Sequence, residues 1–170
     1  MKELEEKEKP TIENGFGTAW LGCLVDVLGK DWHDVQCRGH WEELEFNEGV
    51  LTFWTTTAWA PCNEVFDLVR EKYPSLFYYY RAEEPNMVIY DTNDIEGRYF
   101  PERYLVDLCT DKGDWQTEYF TDLPSAYEWL EEIADVPVRS EQDVQALKEK
   151  WEETNSHAFI IINEFMFVED

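Results

Sequence analysis

The chain has 170 residues, of which 38 are Asp or Glu and 14 are Lys or Arg, so its formal net charge is −24 at neutral pH. Because affinity for phosphates and anionic headgroups comes mainly from Lys and Arg, this balance excludes direct nucleic-acid binding and membrane-surface binding. The chain is not expected to be disordered, since 44% of its residues are hydrophobic and it contains 8 Trp, 9 Tyr and 10 Phe.

The length predicts one compact domain, which we expect over residues 14–170. Residues 1–13 alternate Lys and Glu without apolar periodicity, so they predict a charged, flexible arm and not a secretory signal. The longest apolar runs, such as Ala158–Ile162, fall far short of the ~20 residues that span a membrane. We therefore expect a cytoplasmic protein, with free thiols at its four widely spaced cysteines, Cys23, Cys37, Cys62 and Cys109.

The first half of the chain alternates helical and strand patterns. Apolar residues recur at helical spacing from Phe16 to Leu28, and a glycine follows directly. His40–Phe46 and Val50–Thr57 are separated by three turn-forming residues and predict a hairpin. A second helix is expected from Pro61 to the residue before Pro74.

The second half begins with short aromatic or β-branched segments that predict an antiparallel meander: Leu76–Arg81, Met87–Tyr90, Arg98–Phe100, Tyr104–Cys109 and Trp115–Phe120. Two amphipathic helices follow. The first covers Leu123–Asp135, and the second begins after Ser140. His157–Val168 is expected to be a closing strand.

A set of local motifs lies between residues 44 and 91. A strand ending in Thr55–Trp59 is followed by Ala60-Pro61, a helix, the stop Lys72-Tyr73-Pro74, and the aromatic segment Phe77–Tyr80 with two acids after it. In these motifs the chain resembles the YubB-like, ferredoxin-like family encoded on bacterial plasmids and phages. The resemblance implies a mobile-element origin and a ferredoxin-like antiparallel sheet with helices on one face. Together with the patterns of the second half of the chain, it leads us to expect an α+β fold in which this unit is extended by a β-meander and two C-terminal helices. The resemblance implies no catalytic residues.

The chain departs from this family at two places. Family members open with a strand before the first helix, which residues 1–13 cannot supply, although the C-terminal strand could occupy that place. A glycine-containing turn after the acidic pair is replaced here by Pro85-Asn86.

Two segments suggest metal ligands at first. His33, Cys37, His40 and Cys62 have zinc-binding side chains but no Cys-x-x-Cys pair, so ordinary polar and buried roles are favoured. The segment from Asp91 to Glu102 has the length of a calcium loop, but Ile95 stands at the fifth position, where an EF-hand needs an oxygen donor, and Glu96 at the sixth, where it needs glycine. We expect a turn connection. We therefore expect neither a metal site nor a cofactor.

Catalytic patterns are equally weak. Two carboxylates beside aromatic rings would suit a small hydrolase or a sugar-binding domain, which stays an alternative. With 38 acids, however, some pair will always fit such a spacing. No nucleophile elbow, Walker loop or dinucleotide fingerprint occurs, so no catalytic residue is assigned.

The acids are distributed unevenly. Residues 1–85 carry a charge of 8 − 17 = −9 and residues 86–170 carry 6 − 21 = −15. Between Asp114 and Asp135 there are seven acids and no Lys or Arg. Spacings of three and four on a helix place side chains about 5–6 Å apart on one face. We expect an interaction surface formed by Asp122, Glu128, Glu131, Glu132, Asp135, Glu141, Glu149, Glu152 and Glu153.

This surface has two interpretations. It could only keep the protein soluble, or it could contact a basic protein in place of nucleic acid, as a DNA mimic does. The hypothesis that we carry forward is a non-catalytic binding or regulatory protein whose partner is a basic, nucleic-acid-binding protein.

Overall fold

The computed structural model describes residues 1–168, and the chain divides into two compact units, Met1–Tyr78 and Tyr79–Asp170. Within the described residues there are five α-helices, and all but one of the strand pairings are antiparallel. This agrees with the expected α+β class. The single domain expected over residues 14–170 stays a prediction beside this division into two units.

Unit 1 contains α1 (Lys2–Glu5), α2 (Leu21–Val27), a 3₁₀ turn (Trp32–Asp34), β1 (Gly39–Asn47), β2 (Val50–Thr57) and α3 (Asn63–Lys72). Strands β1 and β2 form an antiparallel hairpin whose register runs from Gly39 opposite Thr57 to Asn47 opposite Val50. Glu48 and Gly49 both have positive φ, at 48° and 83°, which is the geometry of the tight turns that match strand twist.

The core of unit 1 lies between its helices and the hairpin. Leu21, Val25, Trp41 and Val65 are all at most 1% exposed. Residues 1–13 were expected to be a solvated arm, but α1 places Leu4 in this core at 4% exposure. The Trp41 indole Nε1 donates a hydrogen bond of 2.8 Å to Glu5, so the start of the chain packs onto β1.

Unit 2 contains β3 (Arg81–Glu84), β4 (Ile89–Thr92), β5 (Tyr104–Cys109), β6 (Trp115–Phe120), α4 (Leu123–Ala134), α5 (Glu141–Thr154), β7 (Phe159–Glu164) and β8 (Met166–Phe167). One sheet has the order β3-β4-β8, with β8 parallel to β4. The other has the order β6-β5-β7 and is antiparallel throughout.

The two long helices pack on one face of the β6-β5-β7 sheet. Val106 and Leu108 of β5 are completely buried there, in the same cluster as Leu130 of α4 and Trp151 of α5. Burial of each large apolar side chain stabilises the folded state by roughly 1.5–3 kcal/mol. These contacts hold the two helices on the sheet and determine which side of each helix faces solvent.

Three strand predictions are corrected by the structure. Leu76–Arg81 is not a strand, because pairing with β4 begins only at Arg81. Arg98–Phe100 is also not a strand, since its backbone N–H groups donate to the Asp94 carboxylate and not to a neighbouring strand. His157–Val168 forms two strands that join different sheets, because buried Phe165 separates β7 from β8. No helix among residues 1–168 is long and apolar enough to cross a membrane.

Candidate protein-interaction surface

Helix α4 begins at a well-formed cap. The Asp122 carboxylate accepts a hydrogen bond of 2.9 Å from the backbone N–H of Ser125, and this bond lowers the pKa of Asp122. Pro124 lies in the first turn, where its missing N–H costs no hydrogen bond. The helix ends at Asp135, which adopts the left-handed conformation at φ 52°. Asp122 is therefore ionised at neutral pH and has a structural role besides any contact with a partner.

The buried side of α4 determines its exposed side. Ala126 and Leu130 are completely buried, so positions about half a turn away point to solvent. Glu128, Glu132 and Asp135 occupy these positions and all three are exposed. We call these three residues the acidic α4 face. Within residues 1–168, no side-chain hydrogen bond or ion pair of theirs is present, so their charge is available to a partner.

Glu131 differs from its neighbours on the helix. It is half-buried, and its Oε2 accepts a hydrogen bond of 3.3 Å from the backbone N–H of Val138. The same oxygen lies 3.7 Å from the Arg139 guanidinium. Glu131 therefore ties the connection after α4 to the helix, and part of its charge is already balanced.

Helix α5 begins in a similar way. Asp143 accepts hydrogen bonds from the Arg139 backbone N–H at 3.0 Å and from the Ser140 hydroxyl at 2.8 Å, which lower the pKa of Asp143. Ser140 Oγ in turn accepts from the Asp143 N–H. This reciprocal cap fixes the helix start, and the buried residues Val144, Leu147 and Trp151 fix its rotation on the sheet.

The predicted α5 acids are all exposed but are not equivalent. Glu149 accepts a hydrogen bond of 2.8 Å from Gln145, and Glu152 lies 3.9 Å from Lys148. Glu141 and Glu153 have no such neighbour within the described chain. The structure thus presents all nine predicted residues at or near the surface, with five unpaired, three engaged in local contacts and one, Asp122, used as a cap.

Two concavities of unit 2 bear on the carboxylate alternative. The larger, of about 510 Å³, lies among α4, α5 and β7 and contains one carboxylate, Glu141. The smaller, of about 250 Å³, contains Asp143, whose oxygens are used in the α5 cap. Glycoside hydrolysis needs two carboxylates about 5–10 Å apart beside the substrate, and neither concavity provides such a pair.

The His and Cys side chains of unit 1 that could bind zinc contact other groups. His33 Nδ1 lies 2.6 Å from Asp31, His40 Nε2 lies 3.0 Å from Glu42, and the Cys37 thiol lies 3.5 Å from the Trp32 carbonyl. Across residues 1–168, no three His, Cys, Asp or Glu side chains come close enough together to hold a metal ion.

The segment Asp91–Glu102, which has the length of a calcium loop, surrounds the buried carboxylate of Asp94. Asp94 has no exposed surface and accepts backbone hydrogen bonds from Arg98, Tyr99 and Phe100 at 2.7–3.0 Å. Burial would raise the pKa of Asp94, but these bonds and the nearby Arg103 outweigh it and lower the pKa. Both carboxylate oxygens of Asp94 therefore accept hydrogen bonds from N–H groups, and they are not available to bind a cation.

Sequence reasoning missed the apolar residues of the larger concavity. Tyr127, Ile160 and Ile162 line it together with residues of α5. The alternation of Ile160 and Ile162 in β7 indicated a common sheet face, but no local pattern showed that α5 leaves part of that face open.

Comparisons of the chain with protein-family models, with curated proteins and with solved structures found no match. The feature of the molecule that bears on function is therefore the surface itself. From Asp122 to Thr154 the charge is 3 − 10 = −7, on two helices held rigidly by their caps and buried faces. Such a surface attracts cationic proteins and speeds their encounter.

Proposed function

We propose that the protein is a non-catalytic binding protein of a bacterial mobile element, and that its acidic α4 face contacts a basic nucleic-acid-binding protein in place of nucleic acid. The observation that supports it best is the exposure of Glu128, Glu132 and Asp135 without internal partners. They lie in a segment, residues 113–138, that contains no Lys or Arg.

Electrostatics explains why unpaired acids matter more than the total charge. An acid that already faces a cation, as Glu152 faces Lys148, attracts a partner less strongly. Glu128 and Glu132 lie on successive turns of α4, where Cβ atoms are about 5–6 Å apart, and Asp135 follows at the C-cap, so the three unpaired carboxylates form a row. A DNA-binding surface presents Lys and Arg to a row of phosphates, so it is complementary to such a face.

The proposal also draws on the resemblance to the YubB-like family. The motifs between residues 44 and 91 support a YubB-like, ferredoxin-like relationship and hence a plasmid or phage origin. A DNA mimic from such an element would act on a host enzyme that binds nucleic acid, so the partner class in this proposal is a basic host protein. A cytoplasmic location fits the same proposal.

The proposal is tested by affinity capture from a nuclease-treated bacterial lysate at about 150 mM salt, where screening acts beyond ~8 Å. The acid variant combines Glu128→Gln, Glu132→Gln and Asp135→Asn, and Asn tolerates the left-handed conformation at position 135. The matched control neutralises three exposed acids of unit 1, with Glu6→Gln, Glu8→Gln and Glu13→Gln.

We expect the wild type and the control to retain the same nucleic-acid-binding protein, and duplex DNA to release it. The acid variant should lose this protein. The proposal fails if the wild type retains no protein that duplex DNA releases. Equal retention by the acid variant would show that the acidic α4 face is not the contact and would favour a role in solubility alone.

A further inference from the structure

One segment of unit 1 differs from the rest of the chain in its charge. Residues 49–63, which run from the hairpin turn through β2 to the start of α3, contain no Asp, Glu, Lys or Arg, although 31% of the chain is charged. Two tryptophans of this segment are largely exposed, Trp54 at 66% and Trp59 at 64%. Trp59 also has a φ of 72°, which a bulky side chain rarely adopts. Because exposed Trp is enriched at the centres of protein interfaces, the segment has the composition of a contact surface.

Strand β2 has an open edge. Among residues 1–168, its one strand neighbour is β1, and five of its eight residues are exposed. It contains no Lys, Pro or inserted residue, the features that usually protect an edge from pairing. An uncharged edge strand of this length is a template for another strand.

The edge of β1 is closed. The Trp41 backbone N–H donates a hydrogen bond of 3.1 Å to the Ala19 carbonyl, and a β-bridge joins Trp20 to His40. Further along β1, Glu43 has a φ of 53° and the register shifts, as in a β-bulge. A further strand can therefore add to the hairpin at β2 and not at β1.

The contacts of Trp41 also show which backbone groups of β2 are free. Trp41 lies opposite Thr55, and its N–H points away from β2. Opposite residues of an antiparallel pair direct their backbone groups the same way, both towards each other or both outward. Thr55 therefore directs its N–H and C=O outward, and by alternation so do Leu51, Phe53 and Thr57.

We propose that β2 pairs antiparallel with β2 of a second copy of this chain, which joins two hairpins into a four-stranded sheet with the strand order β1-β2-β2-β1. This contact lies in unit 1 and does not depend on the proposed function. A two-fold axis normal to the sheet keeps each face on its own side. Pairing centred on Trp54 then places Trp54 opposite its copy and Thr52 opposite Thr56, which are favourable cross-strand pairs.

This register also uses the other exposed groups of the hairpin. The outward-facing residues of the two β2 strands exchange about eight backbone hydrogen bonds. Trp59 of one copy lies near the hairpin turn of the other, where Phe46 and Leu51 are 74% and 42% exposed. Pairing therefore covers apolar side chains as well as the open edge.

Charge selects a second copy as the occupant. Glu42, Glu43 and Glu45 lie on β1, which is the outer strand of the four-stranded sheet. The two β1 strands are three strand spacings apart, about 14 Å, which exceeds the screening length of ~8 Å at 0.15 M salt. A basic segment would find no acid on β2, whereas β2 is itself an uncharged strand with a free edge.

The first test is sedimentation velocity of the full chain over a range of concentrations. We expect a monomer–dimer equilibrium with a Kd on the order of 10 μM at ~0.15 M salt. The dimer should weaken at least about fivefold at ~0.01 M salt, where the screening length is ~30 Å and the two anionic chains repel. Binding of a basic partner has the opposite salt dependence, so the two contacts are distinguishable.

A matched pair of variants locates the contact. Trp54→Glu places two acids opposite each other and should weaken the dimer at least about tenfold. Trp115→Glu makes the same change at a Trp that is 71% exposed on β6 of unit 2, and it should leave the dimer unchanged. Thermal unfolding of both variants establishes that the fold is retained.

Cysteine cross-linking tests the register without changing Trp54. Thr52→Cys and Thr56→Cys chains are mixed and treated with an azo oxidant, which takes up the two thiol hydrogens as the disulfide forms. Directly opposite Cα atoms lie about 4.5–5.5 Å apart, within the ~4.4–6.8 Å that a disulfide needs. Each variant alone has its two cysteines four residues apart along the strand, about 14 Å. The native cysteines are at most 4% exposed.

We expect a cross-linked dimer from the mixture and little from either variant alone. The proposal is overturned if the chain stays monomeric up to about 100 μM, ten times the expected Kd. It is also overturned if Trp54→Glu and Trp115→Glu act alike, or if the mixture cross-links no better than its components. If the dimer forms but lysate capture fails, this inference stands and the proposed function is wrong.

Discussion

Neutralising part of the acidic α4 face should stabilise the protein while it weakens binding. The perturbation is the double variant Glu128→Gln and Glu132→Gln. Both acids are exposed and lie on one side of α4 near Glu131 and Asp135. Residues placed for folding alone would not be expected to repel one another, so a gain in stability on neutralisation indicates that the charges serve another purpose.

The magnitude follows from helical spacing. The double variant removes three like-charge neighbours: Glu128 with Glu132, Glu132 with Asp135, and Glu128 with Glu131, whose repulsion is reduced by Arg139. Each such pair costs about 0.2–0.5 kcal/mol, which gives roughly 0.6–1.5 kcal/mol in total. Glu132 also lies in the last turn, where the helix dipole disfavours an anion. For a chain of this length the gain corresponds to an increase in Tm of about 2–5 °C.

The assay is thermal unfolding followed by circular dichroism at low and high salt. The gain should decrease strongly near 1 M salt, where the screening length is ~3 Å. A control with Glu6→Gln and Glu8→Gln changes the net charge equally. If the control gains as much as the double variant, or if the gain does not depend on salt, the reasoning about local repulsion is refuted.

Four further results are expected. Asp94→Asn should lower the free energy of unfolding by about 2–4 kcal/mol, because Tyr99 and Phe100 lose a buried carboxylate acceptor. Because the pKa of Asp94 is lowered by folding, its contribution should be complete above the unfolded pKa of about 3.9 and decrease as the pH falls through the folded value. Denaturation curves of wild type and variant should therefore converge in acid, and a constant difference would contradict this. Burial and the hydrogen bond to Glu83 raise the pKa of Tyr119 to about 12, so Tyr119→Phe should remove the tyrosinate absorbance that develops near that pH and not an earlier step. Burial raises the pKa of the Cys62 thiol to about 11, so an alkylating reagent at neutral pH should modify this cysteine only after unfolding, as peptide mass spectrometry would show. Leu4→Ala should cost about 2–3 kcal/mol in a denaturation experiment, and no loss would mean that α1 does not pack as described.

Elements set by local signals could be predicted from the sequence. The bounds of β5 and β6 were predicted to the residue, because two β-rich segments flank a turn in which Gly113 has a φ of 86°. A cap at Thr121 or Asp122 and a cap at Ser140 were also predicted, since an acceptor side chain before an amphipathic run satisfies the first free N–H groups; the structure has Asp122 and Ser140 at these places.

Pairing between distant segments could not be predicted in the same way. Phe77–Tyr80 has the composition of a strand but does not form one, and Arg98–Phe100 wraps the Asp94 carboxylate. Both outcomes depend on residues that only the folded chain brings close. Strands β7 and β8 lie in different sheets on either side of buried Phe165, and this arrangement also depends on contacts between residues far apart in the sequence.

The surface was predictable only in part. Helical spacing predicted that Glu128, Glu131, Glu132 and Asp135 share one solvent face. Three of the four are exposed, whereas Glu131 is half-buried. Spacing could not show that Glu131 binds the Val138 N–H, nor that Tyr127 and Ile162 border a groove. Those contacts depend on the path of the connection and on how α5 sits on the sheet.

The most direct measurement of the central claim is a competition between this protein and DNA for the captured partner. The purified partner is bound to labelled duplex DNA, and the protein is added while fluorescence anisotropy is recorded. We expect the wild type to displace the DNA completely, with an affinity that falls as salt rises, and the variant Glu128→Gln, Glu132→Gln, Asp135→Asn to displace little. A ternary complex in which the partner keeps its DNA, or equal displacement by the variant, would contradict the claim.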